Sequence, residues 1–181
     1  MRSNGFGERA KRGAHHTKAK NGKRNDGRGP GKLTIVSLGP GHRSYMLPIA
    51  QDALISAEVV VGYKLYLQMI ADLIEEKKVF ASGMRKEVQR CETAVEYASQ
   101  GSRVVIISSG DAGIYGMAGL VFDLCRKKNL CVSYDEGASR GTPDFTIEVI
   151  PGVAAFNAAA SVAGAPLMHD FAAISLSDLL T

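Results

Sequence analysis

The stretch RVVIISSGDAGIYGMAGL, residues 103–120, decides the reading of the fold. Its opening RVVIIS (103–108) is a continuous β-branched run of the kind found in sheets covered on both faces, and it is predicted as a central strand. The run ends in Ser108-Ser109-Gly110-Asp111, and a helix-like pattern follows at once. An acidic residue and three small ones therefore stand at the carboxyl end of a buried strand, where open α/β sheets bind their ligands. A second Gly-rich turn, Gly39-Pro40-Gly41, closes the apolar run LTIVSL (33–38). Two such exits on one sheet point to a cofactor cleft.

Outward from these two strands, strand and helix patterns alternate. LPIAQDALISA (47–57) reads as a helix with Pro48 in its first turn, and EVVVG (58–62) as the second strand. YKLYLQMIADLIEE (63–76) reads as a helix that places Leu65, Met69 and Leu73 on one face. KVFA (78–81) is a short third strand, and KEVQRCETAVEYAS (86–99) an amphipathic helix stopped by Gly101. Beyond the central strand, IYGMAGLVFDLCRKK (114–128) is helical, with Gly116 and Gly119 expected to allow close approach to neighbours. LCVSY (130–134) is a short strand, DEGASRGTPD (135–144) a loop, FTIEVI (145–150) a strand, and VAAFNAAASVAGA (153–165) a small-residue helix. This alternation predicts an α/β fold with a mainly parallel sheet flanked by helices.

The segment FAAISLSDLLT (171–181) begins with strand-like alternation and has no closing helix. The expectation is a polypeptide that continues into a second domain largely absent here. The division that follows is a basic Gly-rich tail over 1–32, an α/β domain over 33–168, and a connection with the start of the second domain over 169–181.

The chain has 181 residues and 45% hydrophobic content, enough for one domain with a buried core. No apolar run approaches the roughly 20 residues that cross a bilayer, and the amino terminus has no secretory apolar region, so a cytoplasmic protein without membrane partners is expected. Cys91, Cys125 and Cys131 are odd in number and lack C-x-x-C spacing, which predicts packed, reduced thiols. His15, His16, His42 and His169 are scattered, with no H-E-x-x-H or Cys/His cluster, so no metal is expected.

The net charge of +4 conceals an uneven distribution: ten Lys/Arg against two acids in residues 1–32, and twelve against sixteen in 33–181. The tail has too little apolar content to offset its ordering entropy and is predicted to be disordered. A solvated extension is the simpler reading of it. Nonspecific attachment to RNA or to an acidic partner is the alternative, though no folded nucleic-acid motif accompanies it.

Gly39-Pro40-Gly41 lacks the Gly-Lys-Ser/Thr of a phosphate loop and the G-x-G-x-x-G spacing of a dinucleotide site. By itself it is a turn that needs glycine conformations. Three further small-residue turns give it weight: Ser82-Gly83-Met84, Ser109-Gly110-Asp111 and Pro151-Gly152-Val153. Each follows a predicted strand, so in a parallel sheet all four share one edge.

The set SLGPG, VVGYKLYL, ASGMRKEVQR, SSGDAGIYGMAGL, VIPGVAAFNAAA and GAPLMHDFAAISLSDLL runs from Leu33 to Thr181 and resembles the amino-terminal domain of the tetrapyrrole methylase superfamily. GPG, GD and PGV turns are general to that superfamily. GYK-x-YL, SGM-x-x-E, GMAGL and HDFAAISLSDLL are particular to its precorrin-3B C17-methyltransferase branch.

The resemblance implies S-adenosylmethionine as methyl donor, bound in a cleft between two α/β domains. It implies methylation of precorrin-3B at C17 with contraction of the macrocycle to precorrin-4, or the cobalt-containing equivalent, in cobalamin biosynthesis. Such an in-line methyl transfer rests on positioning and electrostatics, consistent with the lack of a Ser/His/Asp or Cys/His constellation.

By the same resemblance, Gly39, Pro40, Gly41, Gly110, Asp111 and Ile114 line the cofactor pocket, and Val153, Ala154 and Ala155 form a second wall. Asp111 also suits an Asx-type cap on the following helix, a role compatible with the first. Ala112 stands where the family pattern usually has proline, which puts the order of that loop in question.

A substrate with many carboxylates calls for basic residues, and Lys64, Arg85 and Lys86 follow predicted strands, with Tyr63 as an aromatic contact. Each basic residue also reads as an exposed surface charge, Arg85 and Lys86 equally so. His169-Asp170 reads as a hinge pair or as a catalytic proton relay. The family also implies a homodimer. Other readings are a corrin-pathway methylase acting at a different ring position, or a noncatalytic fragment or binding module; with half the cleft missing, this chain alone is expected to bind cofactor weakly and to turn over negligibly.

Overall fold

The computed structural model describes residues 29–134 and 142–174. The tail through residue 28, loop residues 135–141 and residues 175–181 lie outside the described residues. Six strands, β1 (Gly31–Ser37), β2 (Val59–Tyr63), β3 (Lys78–Ser82), β4 (Arg103–Ser108), β5 (Val132–Ser133) and β6 (Phe145–Ile150), form one sheet. Their order is β3-β2-β4-β1-β6-β5, and every pairing is parallel. The helices are α1 (Pro48–Ser56), α2 (Lys64–Gln68), α3 (Glu87–Ser99), α4 (Met117–Lys127) and α5 (Ala155–Val162).

The period-two alternation of the strands divides the core into two layers. Val104 and Ile106 of β4, Leu33 and Ile35 of β1, and Val59 and Val61 of β2 pack with Cys91, Ala94 and Val95 of α3 and Met117, Val121 and Cys125 of α4. The intervening residues Val105, Ile107, Val36 and Val60 pack with Ala50 and Leu54 of α1 and with Leu67, Ile70 and Ile74. Helices thus cover both faces, and the central strands read as unbroken apolar runs for that reason.

Because all strands run the same way, their carboxyl ends share one edge. The register pairs Ser37 with Ser108, Val36 with Ile150, and Tyr63 with Ser82. The chain leaves β1 toward α1 on one face and leaves the adjacent β4 toward α4 on the other. Adjacent strands whose connections part to opposite faces open a crevice at that edge.

Several segments differ from expectation. The helix predicted over 63–76 is α2 followed by a separate 3₁₀ turn at Ala71–Leu73, and the buried residues are Leu67, Ile70 and Ile74. Leu65 and Met69, expected to face inward, are exposed. The segment is apolar on more than one side, so periodicity alone could not select the buried face. The tighter bonds Met69 N–H to Tyr66 O and Ile70 N–H to Leu67 O turn the chain.

The helix predicted from residue 114 begins at Met117, because Tyr115 is left-handed (φ 52°) and Gly116 is extended. Gly119 has open space where a Cβ would lie, so the close approach expected there does not occur. Helix α5 is shorter than 153–165 and buries none of its residues. Residues 171–174 form no strand.

Among the described residues no helix is long and apolar enough to cross a membrane. Cys91 and Cys125 are buried and Cys131 is exposed. Burial pushes the Cys91 thiol up to about 12 and raises Cys125 as well. The contribution of Cys91 to stability is therefore complete below the ordinary thiol range and is lost as pH rises toward that value. Alkylation of the native protein at about pH 8 is expected to modify Cys131 alone, with Cys91 and Cys125 reacting only after unfolding. Peptide mapping by mass spectrometry checks this, and native labelling of Cys91 would contradict the packing.

Candidate active site

The exits of β1, β4 and β6 are stitched to one another. Leu38 N–H donates to Ser108 O at 2.9 Å, Gly39 N–H to Gly110 O at 3.1 Å, and Gly110 N–H back to Gly39 O at 2.8 Å. Gly39 (φ 76°) and Gly110 (φ 60°) are both left-handed, the conformation glycine reaches without steric cost. The Asp111 carboxylate then uses both oxygens: Oδ1 accepts from Gly113 N–H at 2.7 Å, and Oδ2 from Gly152 N–H at 3.0 Å. The first bond makes an Asx-type turn but not the cap on the following helix expected from the sequence, since α4 begins only at Met117 with Gly116 as its cap; the second ties the exit of β4 to that of β6. A Cβ on Gly152 would lie 2.6 Å from Gly110 O and 2.6 Å from Ser37 Cβ, so the approach requires glycine.

Ala112 resolves the question raised by the missing proline. Its backbone N–H donates to Ser37 Oγ at 2.9 Å, and both residues are fully buried. Proline has no N–H to give. The order that a fixed proline φ would supply is replaced by a buried hydrogen bond from the end of β1.

This stitched edge floors a cavity of about 760 Å³. Gly39, Pro40, Gly41, Gly110, Asp111, Ile114, Ala154 and Ala155 line it, so eight of the nine residues expected at the cofactor pocket converge. Val153 does not line it. Phe156, Leu167 and residues 171–174 complete an apolar wall that sequence reasoning missed, since neither α5 nor the segment after it carries a pattern marking one face as ligand-facing.

A smaller cavity of about 250 Å³ lies along the same edge toward β2 and β3. Tyr63, Met84, Glu87 and Arg90 line it, while Tyr66, Ser108, Ser109, Tyr115 and Gly116 line both cavities. The fourth small-residue turn, Ser82-Gly83-Met84, therefore shares the edge but belongs to this second cavity. Arg90 anchors it: Nη1 donates to Ser82 Oγ at 2.7 Å and to Gly83 O at 3.0 Å, and Nη2 to Glu87 Oε1 at 2.9 Å. Backbone N–H donation at the start of α3, together with Arg90, holds the Glu87 carboxyl below its ordinary range. Arg90 was not among the expected site residues, yet an arginine on the same helical face as Ala94 was a legible signal.

Lys64, Arg85 and Lys86 are exposed on this edge and line neither cavity, so the described structure leaves them as surface charges beside the site. Arg85 is left-handed (φ 58°), and Lys86 is the residue preceding α3. His169 and Asp170 are likewise exposed and outside both cavities, between the lining residues Leu167 and Phe171.

Tyr115 is conspicuous at this edge. The left-handed backbone of a bulky residue costs roughly 1–2 kcal/mol. Gly116 permits the close approach that follows, since a Cβ at that position would meet the Ala112 backbone at 2.5 Å. Ala112 is itself fixed by Ser37 and by accepting from Ala118 N–H at 3.0 Å.

The family model for tetrapyrrole (corrin/porphyrin) methylases matches residues 32–181. The chain belongs to that family. A probable cobalt-factor III C(17)-methyltransferase of Salmonella typhimurium is 48% identical over 149 residues, covering 82% of this chain and 56% of that protein. A precorrin-3B C(17)-methyltransferase of a Sinorhizobium species is 36% identical over 150 residues, covering 83% and 55%. The crystal structure of the methyltransferase CobJ superposes with a TM-score of 0.68 at 37% identity, covering 83% of this chain and 58% of that one. The chain thus spans a little over half the length of these relatives.

Replacing Ser37 by alanine is expected to leave the Ala112 N–H buried without its partner and to lower unfolding stability by about 1–3 kcal/mol, measured by urea titration. A neutral result would mean that the Ser37 bond does not secure this turn.

Proposed function

We propose that this protein methylates C17 of precorrin-3B, or of its cobalt-containing counterpart, with S-adenosylmethionine as donor and contraction of the macrocycle, in cobalamin biosynthesis. The observation that carries the reading is the stitched edge. Three strand exits present main-chain groups and small side chains around a cavity of about 760 Å³, within the range of small-molecule sites. The names of the relatives supply the class of reaction.

The residues fit such a donor. Gly39, Pro40, Gly41, Gly110 and Ala155 offer backbone at close range, while Ile114, Ala154 and Phe156 add apolar surface that excludes water from the sulfonium. Asp111 acts through the backbone: by holding Gly152 and Gly113 it fixes the floor on which the donor rests. When bound, S-adenosylmethionine supplies the methyl group. The protein's part is to hold the donor and the accepting carbon in line, which substitutes for a nucleophile or a metal.

Tyr63 in the smaller cavity provides aromatic surface for the macrocycle, and Lys64, Arg85 and Lys86 stand where its carboxylates would emerge. His169 and Asp170 are assigned to the hinge after Leu167, since both lie outside the cavities. A cytoplasmic homodimer belongs to the same reading, as does the division into a domain and a connection from 169, with the domain beginning at Gly31, where β1 starts, and not at the expected residue 33.

Calorimetric titration of the intact protein with S-adenosylhomocysteine is expected to show one binding site, and incubation with donor and tetrapyrrole a product heavier by one methyl group. Folded protein without binding heat would sink the proposal. Asp111→Ala is expected to weaken S-adenosylhomocysteine binding about tenfold, in keeping with two lost carboxylate hydrogen bonds. Lys64→Ala is expected to leave that binding unchanged and to raise the tetrapyrrole KM by no more than about fivefold, as suits an exposed charge. The opposite ordering would reverse the assignment of the two sides.

A further inference from the structure

Residues 171–174 form part of the wall of the larger cavity without belonging to any helix or strand. Two side-chain contacts join this stretch to the stitched edge and to α5. The Tyr115 hydroxyl donates to the Ala173 carbonyl at 2.9 Å, and the rings of Phe156 and Phe171 lie 5.2 Å apart. The ring of Tyr115 stands between the two cavities and lines both, although 67% of the residue is exposed. A tyrosine this exposed contributes little to the core. Its backbone is nevertheless left-handed, between Ala112, which is bonded to Ser37, and Gly116, which packs against Ala112, and its hydroxyl reaches Ala173.

We propose that Tyr115 is a positioning residue whose hydroxyl fastens residues 171–174 as the outer wall of the donor cavity and thereby sets how fast the spent donor leaves. The cavity of about 760 Å³ has this stretch among its lining, so the segment bounds the site as a wall and does not fill it. The assignment rests on the reading of the larger cavity as the donor site. It extends that reading from binding to release, and it places the control on a hydroxyl bonded to the wall segment.

The test is Tyr115→Phe, which keeps the ring and removes the hydrogen bond. In the ligand-free protein, hydrogen exchange at the amides of 171–174 is expected to accelerate while the strands and α4 stay protected. S-adenosylhomocysteine, followed by stopped-flow displacement, is expected to dissociate about three- to tenfold faster with an unchanged association rate, as for one net hydrogen bond. Faster dissociation with unchanged association is a split that a general loss of structure would not give. Phe171→Ala removes the second fastening and is expected to shift the same amides and the same dissociation rate in the same direction.

Unchanged dissociation in Tyr115→Phe, with the wild-type protein binding normally, overturns the proposal whatever the exchange shows. Loss of protection throughout α4 overturns it too, by making Tyr115 a fold residue. Failure of the wild-type protein to bind S-adenosylhomocysteine overturns the functional reading instead, and the ligand-free exchange then judges the fastening by itself.

Discussion

The reciprocal pair of backbone hydrogen bonds between Gly39 and Gly110 is the constraint on which the site depends. It joins two strand exits after their ladder has ended, in a left-handed geometry that both glycines adopt. Once these exits are joined, Asp111 lies within reach of Gly152, and Ala112 within reach of Ser37. The result is a floor on which Gly39, Gly110 and Gly152 meet, tied by main-chain hydrogen bonds and one carboxylate. Such a surface can approach a ligand closely because few side chains stand in the way.

The sheet makes this convergence possible before any of the stitches form. Parallel strands put every exit on one edge, and helices on both faces bury alternate residues of each strand in separate layers. With both faces occupied, the edge is where a ligand can reach the centre of the domain. The same geometry divides the edge in two: the exits of β1, β4 and β6 bound one cavity, and those of β2, β3 and β4 the other. Donor and acceptor, on the proposed reading, thus occupy neighbouring compartments separated by Tyr66, Ser108, Ser109 and Tyr115.

Legibility in the sequence followed the length and purity of each local pattern. The strands at 103–108 and 145–150 coincide with their β-branched runs, and α1 and α3 lie within one residue of the stretches read as helices. The 63–76 segment failed because Leu65, Leu67, Met69 and Ile70 offer more than one apolar face, and packing against β2 and β4 chose among them. Residues 114–116 read as helix by composition, yet Tyr115 is left-handed in the turn where Ala112 bonds to Ser37 and Ala118, and the helix starts only after it. The glycine turns were legible as turns and, through parallel alternation, as neighbours. The bond of Asp111 to Gly152 and the partners of Ser37 and Arg90 were not.

The sequence by itself determined the layered α/β architecture, the shared edge and the small residues that meet there, because these follow from period-two and helical patterns and from glycine placement, all local properties. Only the tertiary structure decided which exits touch, since Ser37 and Ala112 are 75 positions apart and Asp111 and Gly152 are 41 apart. It also decided that Ala112 gains order from a donated hydrogen bond in place of a proline ring, and that Lys64, Arg85, Lys86, His169 and Asp170 stand outside the cavities. Hydrogen-bond partners and cavity walls arise from crossover connections between strands, and spacing along the chain carries no record of them.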